Sequence, residues 1–202
     1  MVYVNDGGGP QQTMQSSRPL IMLVPVGDVP RDILHGLLPA IAARFPGRAV
    51  RRAPRGLPPP REAWIPGRRQ YLAAPILQRL LASRGSAERV LGVADLDLFT
   101  PGLNFIFGQA QRGGPVAVIA LARLRPEFWG RPPDRQVLVA RAIKEAVHEL
   151  GHTYGLEHCR DLACVMYFSN TLEDTDRKTD RFCDAHAAEL AARLDVPQSG
   201  MV

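Results

Sequence analysis

The segment HELGHTYGLEH, residues 148–158, constrains the fold of this 202-residue chain more than any other part of the sequence. Its first two histidines, His148 and His152, are four residues apart, and residues at that spacing lie on the same face of an α-helix. Two imidazole nitrogens on one helical face can reach a single Zn²⁺ at about 2.0 to 2.1 Å. The segment therefore predicts a helix with a metal site on one of its faces.

The rest of the segment predicts that this metal site is open to a substrate. Gly155 follows His152 by three residues and lets the backbone leave the helix sharply, through a conformation with φ > 0. The bend returns His158 to the same metal, and three protein ligands leave the fourth position free, as in catalytic zinc sites. Glu149 is one step further round the helix and can reach a water molecule bound to that metal.

A long helix carries the first two histidines. Pro132 and Pro133 followed by Asp134 indicate a start and an N-cap, and the helical pattern continues to Gly155. Apolar residues at helical spacing share the side opposite the two histidines: Val139, Ile143, Ala146, Val147 and Leu150. One side of this helix is predicted to pack, and the other to present the imidazoles.

Length and composition indicate one ordinary globular domain. With 46% hydrophobic and 22% charged residues the chain is neither disordered nor collagen-like. Residues 1–18 lack the apolar centre of a signal peptide and predict a flexible tail, and residues 19–197 form the predicted domain. The apolar run 20–26 is too short to cross a bilayer, so we expect a cytoplasmic protein without a membrane partner.

The order of predicted elements indicates an α/β fold. Strands are predicted at 20–26, 49–53, 89–94, 105–108 and 116–121, and helices at 30–45, 71–83 and 181–194, the last capped by Asp180. Residues 44–69 combine prolines with many arginines, which predicts a surface loop; a lid or a surface for acidic substrates is the alternative.

The three cysteines of the chain predict a second metal site. Cys159, Cys164 and Cys183 are an odd number in one region, which does not suit a disulfide framework. With His186 they make a set of three thiolates and one imidazole, a combination suited to structural zinc. A Cys159–Cys164 disulfide, buried free thiols, and a His186 that is simply exposed on its helix are the alternatives.

The same residues resemble the signature of the archaemetzincin family. That signature runs HExxHxxGxxHC, four residues, Cys, one residue and Met, and residues 148–166 match it position by position, with Cys159, Cys164 and Met166 in place. Cys183 follows Met166 after 16 residues where the family has about 17, and His186 replaces the last cysteine of the family's CxxC. The match is strong over about residues 90–190 and faint before them.

The resemblance implies a fold, a site and an activity. It implies a metzincin-like domain with a twisted mixed sheet, a long active-site helix and a short C-terminal part held together by the second zinc. His148, His152 and His158 would bind the catalytic Zn²⁺, and Met166 would lie beneath it in a tight turn. Glu149 would act as the general base toward a zinc-activated water that attacks a peptide carbonyl.

The predicted function is therefore zinc-dependent hydrolysis of peptides or proteins by a monomer that holds two Zn²⁺ ions. The substrate would lie along an edge strand, with 116–121 as the candidate. Two alternatives stay open: a zinc-stabilised binding protein whose active site is occluded or vestigial, and a basic protein associated with nucleic acid. The net charge of +5 and the pI of about 9.6 permit the latter, although aromatic residues for base stacking are few.

Overall fold

The structure, a computed structural model, describes residues 18–195. The predicted tail, apart from Arg18, lies outside the described residues, and so do residues 196 and 197 at the end of the predicted domain. Strands are found at β1 (Leu20–Val26), β2 (Ala49–Arg52), β3 (Trp64–Ile65), β4 (Gln70–Leu72), β5 (Arg89–Ala94), β6 (Leu98–Phe99), β7 (Gly108–Ala110) and β8 (Val116–Ala120). Helices are found at α1 (Arg31–Arg44), α2 (Ala73–Ala82), α3 (Arg135–Thr153), α4 (Leu172–Arg177) and α5 (Asp184–Asp195), with short 3₁₀ turns at Arg61–Ala63, Ala122–Leu124 and Pro126–Trp129.

The main sheet has five strands in the order β2-β1-β5-β8-β7. Neighbouring strands are parallel except for β7, which pairs antiparallel with β8. A smaller sheet joins β3, β4 and β6. The predicted α/β class with a mixed sheet is confirmed.

Both faces of the main sheet are covered, which explains why β8, and β5 after its first residue Arg89, are apolar. Alternate residues of each strand, such as Leu91 and Val93, pack with α1 and α3 in one core. The intervening residues, such as Val90 and Val118, pack with α2 in a second core on the opposite face. The sheet thus holds α3 rigidly along one face, and α3 carries the HELGH segment.

The helix α3 begins as the sequence predicts. The side chain of Asp134 accepts hydrogen bonds from the backbone N–H groups of Gln136 and Val137, at 2.9 and 3.0 Å. Its C-terminal half is buried on every side, including the side of the histidines, because β7 and the chain after α3 cover that side. The histidines therefore lie in a cleft and not on an open face.

Three sequence-based boundaries were wrong. Residues 71 and 72 belong to β4, because they pair with β6, and α2 begins only at Ala73. Of residues 105–107 only Ile106 forms an isolated bridge, to Leu98, and the strand itself is Gly108–Ala110. The last helix begins at Asp184, because the carboxylate of the expected cap, Asp180, contacts Arg44 Nη2 at 2.7 Å instead.

The expected edge strand was also wrong. The strand β8 lies between β5 and β7, so it has no free edge, and β7 is the edge strand at this end of the sheet. The sequence Gly-Gln-Ala of β7 contains no β-branched or aromatic residue, so strand propensity does not reveal it.

The arginine-rich stretch 44–69 is more ordered than a solvated loop. It contains β2, β3 and one 3₁₀ turn, and Arg48 pairs with Glu88 and donates to the carbonyl of Leu194 at 2.7 Å. Within residues 18–195, no helix combines the length and apolar character needed to cross a membrane.

The N-cap of α3 gives a test of the fold. Replacing Asp134 with Ala removes the acceptor for two backbone N–H groups, so we expect the free energy of unfolding to fall by about 1 kcal/mol. Urea denaturation followed by circular dichroism measures it. Asp134→Asn keeps an acceptor and should remain within a few tenths of a kcal/mol of the wild type. Equal losses in both variants would contradict the capping role.

Candidate active site and second metal centre

Three imidazoles converge at the C-terminal end of α3. The Nε2 atom of His152 lies 3.1 Å from Nε2 of His148 and 3.1 Å from Nε2 of His158. Four nitrogens placed tetrahedrally around one Zn²⁺ would be about 3.3 Å apart, given Zn–N bonds of about 2.05 Å. The spacing therefore fits a single metal ion bound by three histidines.

Backbone carbonyls fix the tautomers of two of these rings. Nδ1 of His148 lies 2.8 Å from the carbonyl oxygen of Val165, and Nδ1 of His152 lies 2.7 Å from that of Leu156. A carbonyl can only accept, so both Nδ1 atoms carry the hydrogen and both Nε2 atoms of the neutral rings have bare lone pairs. Two bare lone pairs that face each other at 3.1 Å repel each other. A cation bound between them would accept both lone pairs and remove this repulsion.

Burial keeps these imidazoles in the form that a metal needs. It lowers the pKa of His148 well below its usual range and that of His152 to about 4. The pKa of His158 is also lowered, mainly by partial desolvation of a ring that stays partly exposed. All three rings are therefore neutral at pH 7, and neutral imidazole is the ligand form.

The bend that delivers His158 is built on Gly155, as the sequence predicts. Gly155 has φ 86°, the left-handed region that favours glycine. The N–H of Leu156 donates to the carbonyl of Gly151 at 3.1 Å, and the N–H of Gly155 donates to the carbonyl of His152 at 2.8 Å. This pair of hydrogen bonds is the Schellman motif, which ends a helix. The same turn aims the carbonyl of Leu156 at Nδ1 of His152, so one bend both ends the helix and orients a ring.

Glu149 lies between the histidines and the edge strand. It is 5% exposed, and a Cβ atom built on Gly108 of β7 would lie 2.5 Å from its Cγ and 2.6 Å from its Oε1. Only glycine at position 108 leaves room for this carboxylate. Burial, and then the nearby carboxylate of Glu145, raise the pKa of Glu149 well above its usual range.

Met166 lies against α3 beneath the histidines. It is fully buried, and its sulfur would be 2.6 Å from a Cβ atom on Gly151, the residue before His152. Its carbonyl accepts from the N–H of Cys159 at 2.9 Å, so the turn at Met166 is tied to the chain that follows His158. Met166 therefore has the packing position that the resemblance implies.

A second cluster joins Cys159, Cys164, Cys183 and His186, whose ligand atoms lie within 4.8 Å of one another. Sγ of Cys183 is 3.9 Å from Sγ of Cys159 and 3.2 Å from Nδ1 of His186, and Sγ of Cys164 is 4.0 Å from the same Nδ1. Tetrahedral zinc would separate two sulfurs by about 3.8 Å and a sulfur from a nitrogen by about 3.5 Å. The three cysteines are free thiols, so the alternative Cys159–Cys164 disulfide is absent from the described residues.

The protonation of this cluster also fits a cation. Nε2 of His186 lies 3.2 Å from the carbonyl of Glu157, which places the hydrogen on Nε2 and leaves Nδ1 bare toward the sulfurs. The backbone N–H of His186 lowers the pKa of Cys183 to about 7. Burial raises the pKa of Cys164 to about 12, so that thiol ionises only when a positive charge stabilises the thiolate.

Two charged residues beside the site, Glu145 and Lys178, are not among those predicted from the sequence. Glu145 lies one helical turn before Glu149, is 3% exposed, and lines the same cavity as His148 and Glu149. Lys178 is 1% exposed, and its Nζ lies 3.0 Å from Oε1 of Glu145. Glu145 could have been found from its i−4 spacing to Glu149; nothing in the sequence around Lys178 marks it as buried.

Comparisons with known proteins agree on one family. The model of peptidase family M54 matches residues 67–192 of this chain. An archaemetzincin from Pyrococcus furiosus is 44% identical over 182 residues, which cover 88% of this chain and 95% of that protein.

Solved structures of similar proteins have the same fold. The crystal structure of an archaemetzincin from Methanopyrus kandleri matches with a TM-score of 0.78 at 37% identity, covering 91% of this chain and 99% of the other. The crystal structure of a zinc-dependent peptidase from Methanocorpusculum labreanum matches with a TM-score of 0.76 at 30% identity, covering 87% and 100% of the two chains.

The bend at Gly155 can be tested apart from activity. Gly155→Ala forces a side chain into the left-handed region, so we expect a loss of stability of about 1 to 2 kcal/mol and weaker zinc binding by the histidines. Gly85→Ala is the matched control, because Gly85 has φ 56° in open space. It should cost similar stability while zinc affinity, measured by competition with a chromogenic chelator, stays unchanged. Unaltered zinc affinity in Gly155→Ala would contradict the role of the bend.

Proposed function

The chain belongs to peptidase family M54, the archaemetzincins, and from this premise we propose how it hydrolyses a peptide bond. As a zinc metallopeptidase it acts on peptides or proteins. We propose that His148, His152 and His158 hold the catalytic zinc. The observation that carries this proposal is the convergence of their Nε2 atoms, two of them with fixed bare lone pairs, beside the buried carboxylate of Glu149.

The chemistry divides between the ion and the protein. When bound, zinc acts as a Lewis acid that polarises the carbonyl under attack and acidifies a water molecule. Glu149 accepts a proton from the attacking water and later returns it to the leaving amine, and it is a better base toward neutral pH because burial raises its pKa. Gly108 keeps the space that this carboxylate needs.

The substrate backbone is proposed to add to the edge of the main sheet at β7. Among the described residues, β7 pairs only with β8, so its other edge is free to pair with an extended peptide. Glu149 lies directly over Gly108 of this strand. The scissile carbonyl of a peptide paired there would lie close to the Glu149 carboxylate and to the three histidines.

The second cluster is proposed to hold a structural zinc through Cys159, Cys164, Cys183 and His186. All four positions are filled by protein ligands, which is typical of closed structural sites. The ion would tie the chain after His158 to the start of α5. Thiolate ligands require reduced cysteines, so we place the protein in the reducing cytoplasm. That the protein is a monomer and that it does not act on nucleic acid both remain predictions from the sequence.

The first test removes the proposed base. Glu149→Gln keeps the shape of the side chain and loses its basicity, so we expect kcat on a peptide mixture to fall about 10²- to 10⁴-fold with the zinc content unchanged. Cleavage is followed by mass spectrometry and zinc by elemental analysis.

The control for that test is Glu157→Gln. Glu157 is an exposed carboxylate close in sequence to His158 and paired with Arg112 at 2.7 Å, and its loss should leave kcat within about twofold. Full activity in Glu149→Gln would refute Glu149 as the general base, whereas a zinc-loaded wild type that cleaves no peptide would favour the alternative of a zinc-stabilised binding protein.

The second test counts the metals. The wild type is expected to bind two zinc ions per chain. His152→Ala should lose the catalytic ion and retain the fold, whereas Cys164→Ala should lose the other ion and unfold at a lower temperature, because structural zinc contributes directly to folding. Elemental analysis paired with thermal denaturation separates these outcomes. A wild type with one zinc bound only by thiolates would overturn the catalytic half of the scheme.

A further inference from the structure

A cavity of about 260 Å³ opens beside His148 and Glu149, and its lining combines apolar aromatic side chains with a carboxylate. Phe105, Phe107 and Phe168 contribute apolar walls, and Glu145 contributes a carboxylate. We propose that this cavity binds an aromatic substrate side chain that carries an uncharged hydrogen-bond donor, tyrosine foremost, and that Glu145 recognises the donor. The inference rests on the proposed function and names the side-chain class that the same site selects.

The size and walls of the cavity suit one aromatic side chain. Pockets for drug-sized ligands span about 300 to 1,000 Å³, so a cavity of 260 Å³ admits a single large side chain next to the scissile bond. The rings of Phe105 and Phe107 lie 5.2 Å apart at 66°, and Phe168, which is 44% exposed, also lines the cavity. Aromatic rings pack well in such edge-to-face surroundings.

The carboxylate of Glu145 is held in place and still has acceptor capacity. Its Oε1 accepts from the hydroxyl of Thr175 at 3.1 Å and contacts Nζ of Lys178 at 3.0 Å. Both of these contacts fall on Oε1, and within residues 18–195 no hydrogen bond to Oε2 is found. A carboxylate offers about four acceptor sites, so Glu145 can still accept from a ligand that supplies a donor.

A second polar atom of the cavity lacks a partner. The hydroxyl oxygen of Ser169, on the same stretch as Phe168, is buried and has no hydrogen-bond partner among the described residues. A phenol hydroxyl both donates and accepts, so it can donate to the Glu145 carboxylate and, once the Ser169 side chain turns toward the cavity, accept from its hydroxyl. A phenylalanine ring would leave both unmet.

The charge of the cavity argues against a basic side chain. Lys178, whose side chain is 0% exposed, already compensates the charge of Glu145, and Glu149 is occupied by the proposed hydrolysis, so neither carboxylate of the cavity is free to pair with a substrate cation. A substrate lysine or arginine would bring a second cation close to this ammonium at low dielectric, where like charges repel strongly. An uncharged donor meets no such penalty.

The test compares peptides that differ at one residue. Synthetic peptides carry Tyr, Phe or Lys next to the cleaved bond, in separate series for the residue before it and the residue after it. In one series we expect kcat/KM for Tyr to exceed that for Phe by about 10- to 100-fold, with Lys below both, since losing a hydrogen bond to a charged group costs this much.

Two variants locate the recognition. Replacing Glu145 with Leu and Lys178 with Met together removes the pair without leaving a buried charge, and the Tyr-to-Phe ratio should fall to near 1 whatever the absolute rate. Ser169→Ala is expected to lower the ratio by a smaller factor and serves if the double variant does not fold. The matched control, Glu62→Gln with Arg79→Met, removes an exposed pair formed with α2, on the opposite face of the sheet, and should leave the ratio unchanged.

Binding separates this inference from the proposed function. The zinc-loaded Glu149→Gln variant should bind the fluorescein-labelled Tyr peptide at least about tenfold more tightly than the Phe peptide, as measured by anisotropy. If the wild type cleaves no peptide but this preference holds, the proposed function fails and the cavity assignment stands. Equal cleavage of Tyr and Phe peptides, a preference for Lys, or an unchanged ratio in the double variant would overturn the assignment.

Discussion

The site depends on the meeting of imidazole lone pairs at one point, and the backbone enforces that meeting. Two carbonyls, from Val165 and Leu156, hold the Nδ1 hydrogens of His148 and His152 and so turn both bare nitrogens inward. Neither carbonyl belongs to a regular helical hydrogen bond: one comes from the turn that contains Met166 and the other from the Schellman end of α3. Hydrogen-bond acceptors on the second ring nitrogen set the tautomer and orientation of metal-binding histidines. The C-terminal end of α3 and the turn at Met166 are therefore as much part of the site as the rings.

The sheet supplies the other half of the geometry. Strands β5 and β8 are covered by α3 on one face and α2 on the other, and this fixes α3 relative to the edge strand β7. The close approach of Gly108 to Glu149 follows from that arrangement. The proposed general base thus lies between this strand edge and three converging nitrogens, so a peptide paired with the edge would bring its scissile bond to the carboxylate.

The parts of the site that the sequence predicts are those set by local rules. The spacing of His148 and His152, the cap at Asp134 and the left-handed Gly155 follow from the geometry of one helix and its ends. The edge strand β7 does not, because three small or polar residues become a strand only when β8 lies beside them. The pairing of Glu145 with Lys178 is equally hidden, since it joins α3 to the chain beyond α4 and depends on how those elements pack.

The ion pair between Glu145 and Lys178 raises the question of why a buried part of the cleft carries charged groups. Removing two charges from water costs several kcal/mol per ion, and apolar residues of similar volume often replace such pairs with no loss of stability. Stability alone therefore does not account for Lys178, because neighbouring contacts already tie α4 to α3: Arg141 pairs with Asp176 at 2.7 Å, and Nζ of Lys144 donates to the carbonyl of Thr175 at 2.9 Å. What the pair adds is a fixed, charge-compensated carboxylate facing the cavity next to Glu149, which an apolar replacement could not supply.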